Sequence, residues 1–325
     1  MRRLLNYKLA LASTLLLLGQ TVKAQFDPAA GSSGSKAIHK DSSAIVDWAT
    51  QCSITRGPMD FSDNTLGNAS IGREKEAFGK ADDFVVSLGD GGNAIITIDG
   101  SLYNGMGPDF AVFENAFDDN FLELAFVEVS SDGQNYVRFP AVSLTQTKTQ
   151  IGGFDYLNPT ELNNFAGKYR KEYGVPFDLE ELKDSSALDI DKITHIKIID
   201  VVGSIDTTRM HSKDSKGNVV NDPWPTPFES SGFDLDAVGF IHMTGNSIRE
   251  AQSSITFAYA AQQSILTSGN LSNGTLSIFS LNGSLLTSHT LETDQAFKSD
   301  PLIPGVYLVR FSGENFQASQ KVVVF

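Results

Sequence analysis

Short apolar runs, separated by clusters of glycine, aspartate and asparagine, dominate the chain between residues 37 and 244. The runs include residues 93–99 (NAIITID), 109–114 (DFAVFE) and 195–202 (HIKIIDVV). They are rich in the β-branched and aromatic residues that strands favour. No βαβ alternation accompanies them. The pattern predicts an all-β fold, a jelly-roll-like β-sandwich.

Two of the turn clusters predict hairpins. Gly-Asp-Gly-Gly separates residues 83–88 from 93–99, and Ser-Ser-Asp-Gly-Gln separates residues 123–129 from 135–139. Short turn-forming sequences between apolar runs are typical of antiparallel neighbours.

Helical patterns are confined to one part of the chain. Residues 163–173 and 177–183 each fit one to three turns, and Asp178 is a candidate N-cap for the second. We therefore expect a short helical insertion between strands.

The first residues predict a secretory signal peptide. Arg2 and Arg3 precede an apolar run at residues 9–18, and small residues close the segment at residues 19–24. The run is too short for a membrane span, and no later apolar stretch approaches 18 residues, so we expect no transmembrane segment. Residues 25–36 (QFDPAAGSSGSK) predict a flexible linker.

Charge sharpens this division of the chain. The 325 residues carry 39 acidic and 25 basic side chains, a formal charge of −14. Removing residues 1–24 leaves 21 basic side chains and a net charge of −18, nearly all of it before residue 251. This balance argues against nucleic-acid binding. It places a domain boundary between residues 37–248 and residues 249–325.

The C-terminal part predicts a small β-module. Residues 276–279 and 284–286 flank Asn282-Gly283, a favoured hairpin turn. The stretches SIFSLNGSLL (277–286), LIPGVYLVRF (302–311) and QKVVVF (320–325) resemble the C-terminal sorting domain of the type IX secretion system. That family usually opens with Tyr-Pro-Asn-Pro, where this chain has FAYAAQQ (257–263). The resemblance implies export by the type IX machinery to the cell surface or beyond.

Motifs of common catalytic sites are missing from the sequence. It contains no Gly-x-Ser-x-Gly, no HExxH and no phosphate-binding Gly-x-x-x-x-Gly-Lys. The single cysteine, Cys52, lies in an apolar pattern typical of a buried residue. Glycoside cleavage needs only two carboxylates, and a hydrolase using two of Glu114, Glu128, Asp234 and Asp236 stays open as an alternative.

Acidic residues predict a calcium site. Residues 113–123 (FENAFDDNFLE) include Glu114, Asn115, Asp118 and Asp119, oxygen donors of the kind that Ca²⁺ prefers. Asp234 and Asp236 are two residues apart, so on a regular strand they share one face. We expect these six residues to bind Ca²⁺; a solvated acidic face is the alternative.

A proline-rich loop predicts a ligand surface. Residues 221–228 (NDPWPTPF) hold Trp224 on a stiff backbone, where it can stack on a sugar or another flat ligand, with Phe228 beside it. Tyr103 and Asn104 are candidates for an opposing loop. The alternative for Trp224 is a plug at one end of the core.

The middle domain also resembles a family of bacterial cell-surface proteins whose members end in PEP-CTERM-type or type IX sorting tails. The matching runs are residues 107–117, 124–140, 166–182, 194–205 and 222–240. The resemblance implies a surface location and a β-sandwich fold. Similar proteins accompany outer-membrane transporters for glycans or cobalamin.

Together these patterns predict an exported, non-catalytic protein that binds a glycan or another small nutrient. A structural or adhesion protein, or a cobalamin-capture accessory of a transporter, are further alternatives.

Overall fold

The computed structural model describes residues 26–245, 256–260, 264–268, 273–280, 283–292, 297–313 and 317–324. The predicted signal peptide, residues 1–24, lies outside the described residues. Within them, no helix is both long and apolar enough to cross a membrane.

Residues 26–245 form fourteen strands and three short 3-10 helices. The strands are Ile38–His39 (β1), Asp47–Trp48 (β2), Cys52–Thr55 (β3), Val86–Ser87 (β4), Asn93–Leu102 (β5), Phe110–Glu114 (β6), Ala125–Ser130 (β7), Val137–Arg138 (β8), Val142–Ser143 (β9), Leu162–Asn163 (β10), Tyr173–Phe177 (β11), Ile193–Asp200 (β12), Asp234–Phe240 (β13) and Met243–Gly245 (β14). The 3-10 helices are Glu74–Ala77, Pro159–Glu161 and Leu179–Leu182.

The strands build two antiparallel sheets. One has the order β1-β11-β6-β13-β2, with β4 also pairing with β13; the other has the order β14-β5-β12-β7-β8, with β3 on β5. The central strands alternate between the sheets along the chain: β5, β7 and β12 lie in one, and β6, β11 and β13 in the other. This alternation is the jelly-roll arrangement, so the predicted fold class is confirmed.

Alternating side chains of both sheets form the core between them. In β12, Ile196 and Ile198 are fully buried while their neighbours are partly exposed. From the other sheet and its surroundings, the rings of Phe110, Phe139 and Phe177 pack together with centroids 5.0–5.9 Å apart. Burial of such large apolar side chains is the main stabilising contribution in a sandwich without disulfides.

The structure confirms one of the two predicted hairpins and contradicts the other. The second is confirmed, since β7 pairs with β8 through Glu128–Arg138 and Val129–Val137. The first is wrong: β4 pairs with β13 in one sheet, and β5 lies in the other. The Gly-Asp-Gly-Gly sequence therefore crosses between sheets.

The predicted helical insertion is only partly present. Asp178 caps the 3-10 helix Leu179–Leu182 by accepting a hydrogen bond from the backbone N–H of Glu180, as predicted. The helix predicted for residues 163–173 is wrong. Asn164, Gly167 and Glu172 have positive φ angles there, which a right-handed helix does not permit.

The segment predicted to be a flexible linker is held by contacts from residue 26 onward. Phe26 donates its N–H to the carbonyl of Thr160, and Ala30 is buried. Asp27 forms an ion pair with Lys168 (3.0 Å) and accepts a hydrogen bond from the Tyr169 hydroxyl. These buried charges override what the small, polar composition predicts. We refer to Asp27, Lys168 and Tyr169 as the N-terminal anchor.

The described C-terminal residues are also β-structure. Thr256–Ala260 (β15) pairs with Ser264–Ser268 (β16), and a four-stranded antiparallel sheet has the order β18-β17-β19-β20. Its strands are Gly274–Ser280 (β17), Leu285–Leu291 (β18), Gly305–Gly313 (β19) and Gln317–Val324 (β20). The predicted hairpin is confirmed as β17–β18, with Gly283 at positive φ in its turn. Ile278, Val309 and Phe311 belong to a separate hydrophobic core.

Candidate functional site

Carboxylates gather at one end of the sandwich because four central strands begin or end there. Glu114 is the last residue of β6, Asp234 is the first of β13, and Asp200 is the last of β12. Strand pairing brings them close: Asp200 is opposite Ala125 at the start of β7, and Leu235 is opposite Glu114. We call this the acidic end; its carboxylates are Asp90, Glu114, Glu123, Asp200, Asp222 and Asp234.

A pocket of about 160 Å³ opens at the acidic end. Three carboxylates, those of Glu114, Glu123 and Asp234, line it together with Asn115 and Thr226. Four phenylalanine side chains also line it: Phe117, Phe121, Phe154 and Phe228. Phe117 and Phe154 are 78% and 72% exposed, so the aromatic rim faces solvent above an acidic floor.

The floor of the pocket has little positive charge to balance it. Glu114 accepts a hydrogen bond from the N–H of Ala116 at 2.9 Å, and Asp234 accepts one from the Ser87 hydroxyl. Burial, followed by the charges of Glu123 and Asp234, raises the pKa of Glu114 well above its usual range. Burial also raises the pKa of Asp234, although the Ser87 hydrogen bond and the Arg56 guanidinium lower it.

Behind the pocket lie Asp200, Asp222 and Asp90, all at most 4% exposed. Asp200 accepts hydrogen bonds from the N–H groups of Gly91 (2.9 Å) and Phe233 (2.7 Å). Burial, together with the charges of Asp90 and Asp234, raises its pKa to about 8 despite these bonds. The pKa of Asp222 is raised by burial and then by Asp200 and Glu123. Ionisable carboxyl groups therefore meet here out of water, and their raised pKa values favour the protonated form.

The six residues predicted to bind calcium do not form one site. Glu114, Asn115 and Asp234 line the pocket. Asp118 accepts hydrogen bonds from the N–H groups two and three residues ahead, which fixes its own loop, and Asp119 forms an ion pair with Arg170 at 2.6 Å. Within the described part of the chain, no three Asp, Glu, His or Cys side chains converge on a common point as a metal-binding group.

Asp236 lies apart from Asp234 despite their spacing. The register of β13 against β6 shifts between Leu235 and Ala237, which breaks the regular alternation of faces. Asp236 accepts hydrogen bonds from the N–H groups of Asp82 (3.0 Å) and Asp83 (3.3 Å) instead. The expectation of a shared face is therefore corrected by the bulge.

Trp224 lies at the acidic end, but its ring is engaged within the protein. It stacks on Phe61 with centroids 5.0 Å apart and an interplanar angle of 19°, and its Nε1–H donates to Asp90 at 3.2 Å. This arrangement matches the alternative of a plug better than that of a stacking platform. Phe228 is 44% exposed, contacts Phe154 at 5.5 Å and lines the pocket.

Tyr103 and Asn104 lie at the opposite end of the sandwich. They follow the last residue of the ten-residue β5, whose first residue lies beside Asp200. Ten residues of strand separate the two ends by about 30 Å. Tyr103 contacts His242, and Asn104 donates to Glu180 at 2.9 Å, so the two residues do not face Trp224.

A larger cavity of about 420 Å³ lies beside the N-terminal anchor. Two of its carboxylates already have partners, since Asp27 pairs with Lys168 and Glu181 accepts a hydrogen bond from Asn164 at 2.6 Å. A ligand would have to break these contacts. The acidic end, where like charges remain together, is therefore the stronger candidate site despite its smaller volume.

The sequence patterns did not predict that four residues belong to the site: Asp90, Phe154, Asp200 and Asp222. Asp200 carries one available signal, a carboxylate closing the apolar run HIKIID. Phe154 comes from a loop that gives no signal, because its position depends on tertiary packing.

No family model matches the chain, and no curated protein matches it significantly. Among solved structures, it is similar to the BSP domain of a biofilm-associated protein (12% identity, 72% of this chain, 48% of that chain, TM-score 0.20). It is also similar to β-glucuronidases from Parabacteroides merdae (10%, 86% and 35%, TM-score 0.22) and Ruminococcus gnavus (9%, 86% and 44%, TM-score 0.20). The chain spans less than half the length of each, and such TM-scores carry no information about function.

Proposed function

We propose that this chain is an exported surface protein that captures a small ligand, a glycan in the first instance, at the acidic end without transforming it. The observation that carries the proposal is one pocket with an aromatic rim and a carboxyl floor. Sugars present apolar C–H faces and many hydroxyls. Phenylalanine rings can pack on the C–H faces, and carboxyl groups can form hydrogen bonds with the hydroxyls.

The pocket dimensions narrow the ligand. Pockets for drug-sized molecules measure roughly 300–1,000 Å³, and this one measures about 160 Å³. We therefore expect it to take one ring-sized unit, with any remaining part of the ligand lying over exposed Phe117 and Phe154.

Export belongs to the same proposal. It is supported by the sorting-domain resemblance and by the separate hydrophobic core of the C-terminal strands. Deleting residues 249–325 should retain the protein inside the cell, as measured by fractionation. Surface display of the shortened chain would contradict this part of the proposal.

A glycan array tests the capture proposal. Replacing Phe154 and Phe228 together by alanine removes two rings that contact each other across the pocket rim. We expect affinity to fall about ten-fold or more, because buried aromatic contacts dominate binding. Phe84→Ala is the matched control, since Phe84 is 67% exposed and does not line the pocket. Unchanged binding by the double variant would contradict the proposal.

One observation favours glycan hydrolysis as a second candidate. Glu114 and Asp234 interact electrostatically in the pocket, and both have raised pKa values, as a general acid requires. Glu128 instead forms an ion pair with Arg138 (2.8 Å), and Asp236 binds backbone, so neither joins this pair. Reducing-sugar release that Glu114→Gln abolishes would favour hydrolysis over capture.

A further inference from the structure

Three carboxylates of the acidic end, one in the pocket lining and two behind it, lie close together without a basic partner among the described residues. Asp222 interacts electrostatically with Asp200 and Glu123, and Glu123 interacts with Asp200. None of the three forms an ion pair with lysine or arginine among the described residues. Asp222 and Asp200 are each 3% exposed. Carboxyl groups in such surroundings lower the stability of a fold when they are ionised, unless a proton or a cation neutralises them.

One oxygen in this group has no hydrogen-bond partner among the described residues. Asp222 Oδ2 accepts a long hydrogen bond of 3.4 Å from the N–H of Leu124, whereas Asp222 Oδ1 is buried with no hydrogen-bond donor among the described residues. Nearly all buried polar atoms in proteins are hydrogen-bonded or bind an ion or water. The unpartnered oxygen is therefore an independent indication that something binds here.

Glu123 lies close enough to Asp222 to interact with it electrostatically. It directly precedes Leu124, whose N–H donates a hydrogen bond to Asp222 Oδ2. Within the described residues its carboxylate accepts no hydrogen bond, and part of the side chain faces the pocket. Burial and the charges of Asp234 and Asp200 raise its pKa well above its usual range.

We propose that Asp222, Asp200 and Glu123 bind a divalent cation of the calcium class behind the ligand pocket. Hard oxygen ligands without sulfur or imidazole select Ca²⁺ over transition metals. The three carboxylates do not converge on one point as they lie. Binding therefore requires the Glu123 side chain to turn towards Asp222. This site is distinct from the residues that the sequence pattern favours, and it does not depend on what the pocket captures.

A terbium titration of the full chain tests the site. Tb³⁺ replaces Ca²⁺ at oxygen sites, and its emission rises when a tryptophan nearby is excited. Trp224 Nε1 is 3.2 Å from Asp90, which itself interacts with Asp222, so an ion held there lies close to this ring. We expect saturable emission that Ca²⁺ competes away. Trp224→Phe should abolish the emission, whereas Trp48→Phe should preserve it.

The variants locate the ligands. Asp222→Asn should weaken Ca²⁺ competition about ten-fold or more, and Glu123→Gln should do the same if Asp222→Asn fails to fold. Asp236→Asn is the matched control, because Asp236 is equally buried but bonds backbone N–H groups outside the group. A control that weakens binding as much as Asp222→Asn, or emission that depends on Trp48, would overturn the assignment.

Calcium should also raise the melting temperature of the wild-type chain in a concentration-dependent way, because an ion that binds only the folded state stabilises it. EDTA should reverse the increase, and Asp222→Asn should remove it. A melting temperature that does not change with calcium concentration would contradict the proposal. Failure of the glycan experiment would leave these results untouched, so the two proposals are tested separately.

Discussion

Two groups of buried charge in this molecule differ in how they are balanced. At the N-terminal anchor, Lys168 is 2% exposed, and both it and the Tyr169 hydroxyl are satisfied by Asp27. At the acidic end, Glu123, Asp200 and Asp222 are surrounded by further carboxylates. In the anchor, the opposite charges pair with each other. At the acidic end, these three carboxyl groups have no basic partner among the described residues, and Asp222 Oδ1 has no hydrogen-bond donor there.

The difference separates a structural role from a binding role. A buried pair with complete hydrogen bonding holds one conformation and offers nothing to a ligand. Carboxyl groups with strongly raised pKa values, gathered in a cleft, are common at functional sites. The comparison predicts that removing charge destabilises the anchor but not the acidic end.

The largest expected effect is at the anchor. Asp27→Ala leaves the Lys168 ammonium buried without its partner, which typically costs about 3–5 kcal/mol. We expect the free energy of unfolding, measured by urea denaturation, to fall by that amount while terbium binding is retained. Asp41→Ala is a suitable control, because it removes an ion pair with Lys80 that is exposed on both sides. If the free energy of unfolding falls no more than in the control, the anchor contributes no more to stability than an exposed ion pair does.

A buried carboxylate bonded only to backbone is the intermediate case. Burial, together with the charges of Asp82 and Asp83, raises the pKa of Asp236 to about 6, against the hydrogen bonds from the N–H groups of those two residues. In unfolded chains an aspartate has a pKa of about 3.9. Between these values the folded state holds a proton that the unfolded state has released, so stability falls as pH rises from about 4 to about 6.

The Asp236→Asn variant isolates this contribution. The difference in unfolding free energy between wild type and variant should change by about 3 kcal/mol across that pH window, with the wild type losing relative stability as pH rises. Above pH 6 the difference should level off. A difference that stays constant from pH 4 to pH 6 would show that Asp236 does not titrate there.

The smallest effect is expected for an exposed pair. Lys183 and Glu180 form an ion pair at 2.6 Å, and their side chains are 54% and 53% exposed. Exposed ion pairs in proteins typically contribute only about 0.2–1 kcal/mol. Lys183→Gln should therefore change stability very little, as measured by thermal denaturation. A cost as large as that of Asp27→Ala would remove the distinction between buried and exposed pairs on which the comparison depends.

Local pattern predicted the architecture but not the assembly of the site. Alternation such as that of β12 reports burial directly, so the strands and the sandwich follow from the sequence. The crossing between β4 and β5 does not, because a Gly-Asp-Gly-Gly turn fits both a hairpin and a change of sheet. The bulge that diverts Asp236 depends on pairing with β6. The residues of the pocket lie far apart in sequence, and tertiary packing alone brings them together.

The position of β13 has a consequence for the order of folding. It lies between β6 and β2 and also pairs with β4, so the latest long strand of the sandwich is central to its sheet. Until residue 240 has left the ribosome, the edges of β6 and β2 lack their partner. Contacts this distant in sequence slow folding. We therefore expect the domain to fold late, and a chain that stops before residue 234 to leave an open sheet edge prone to aggregation.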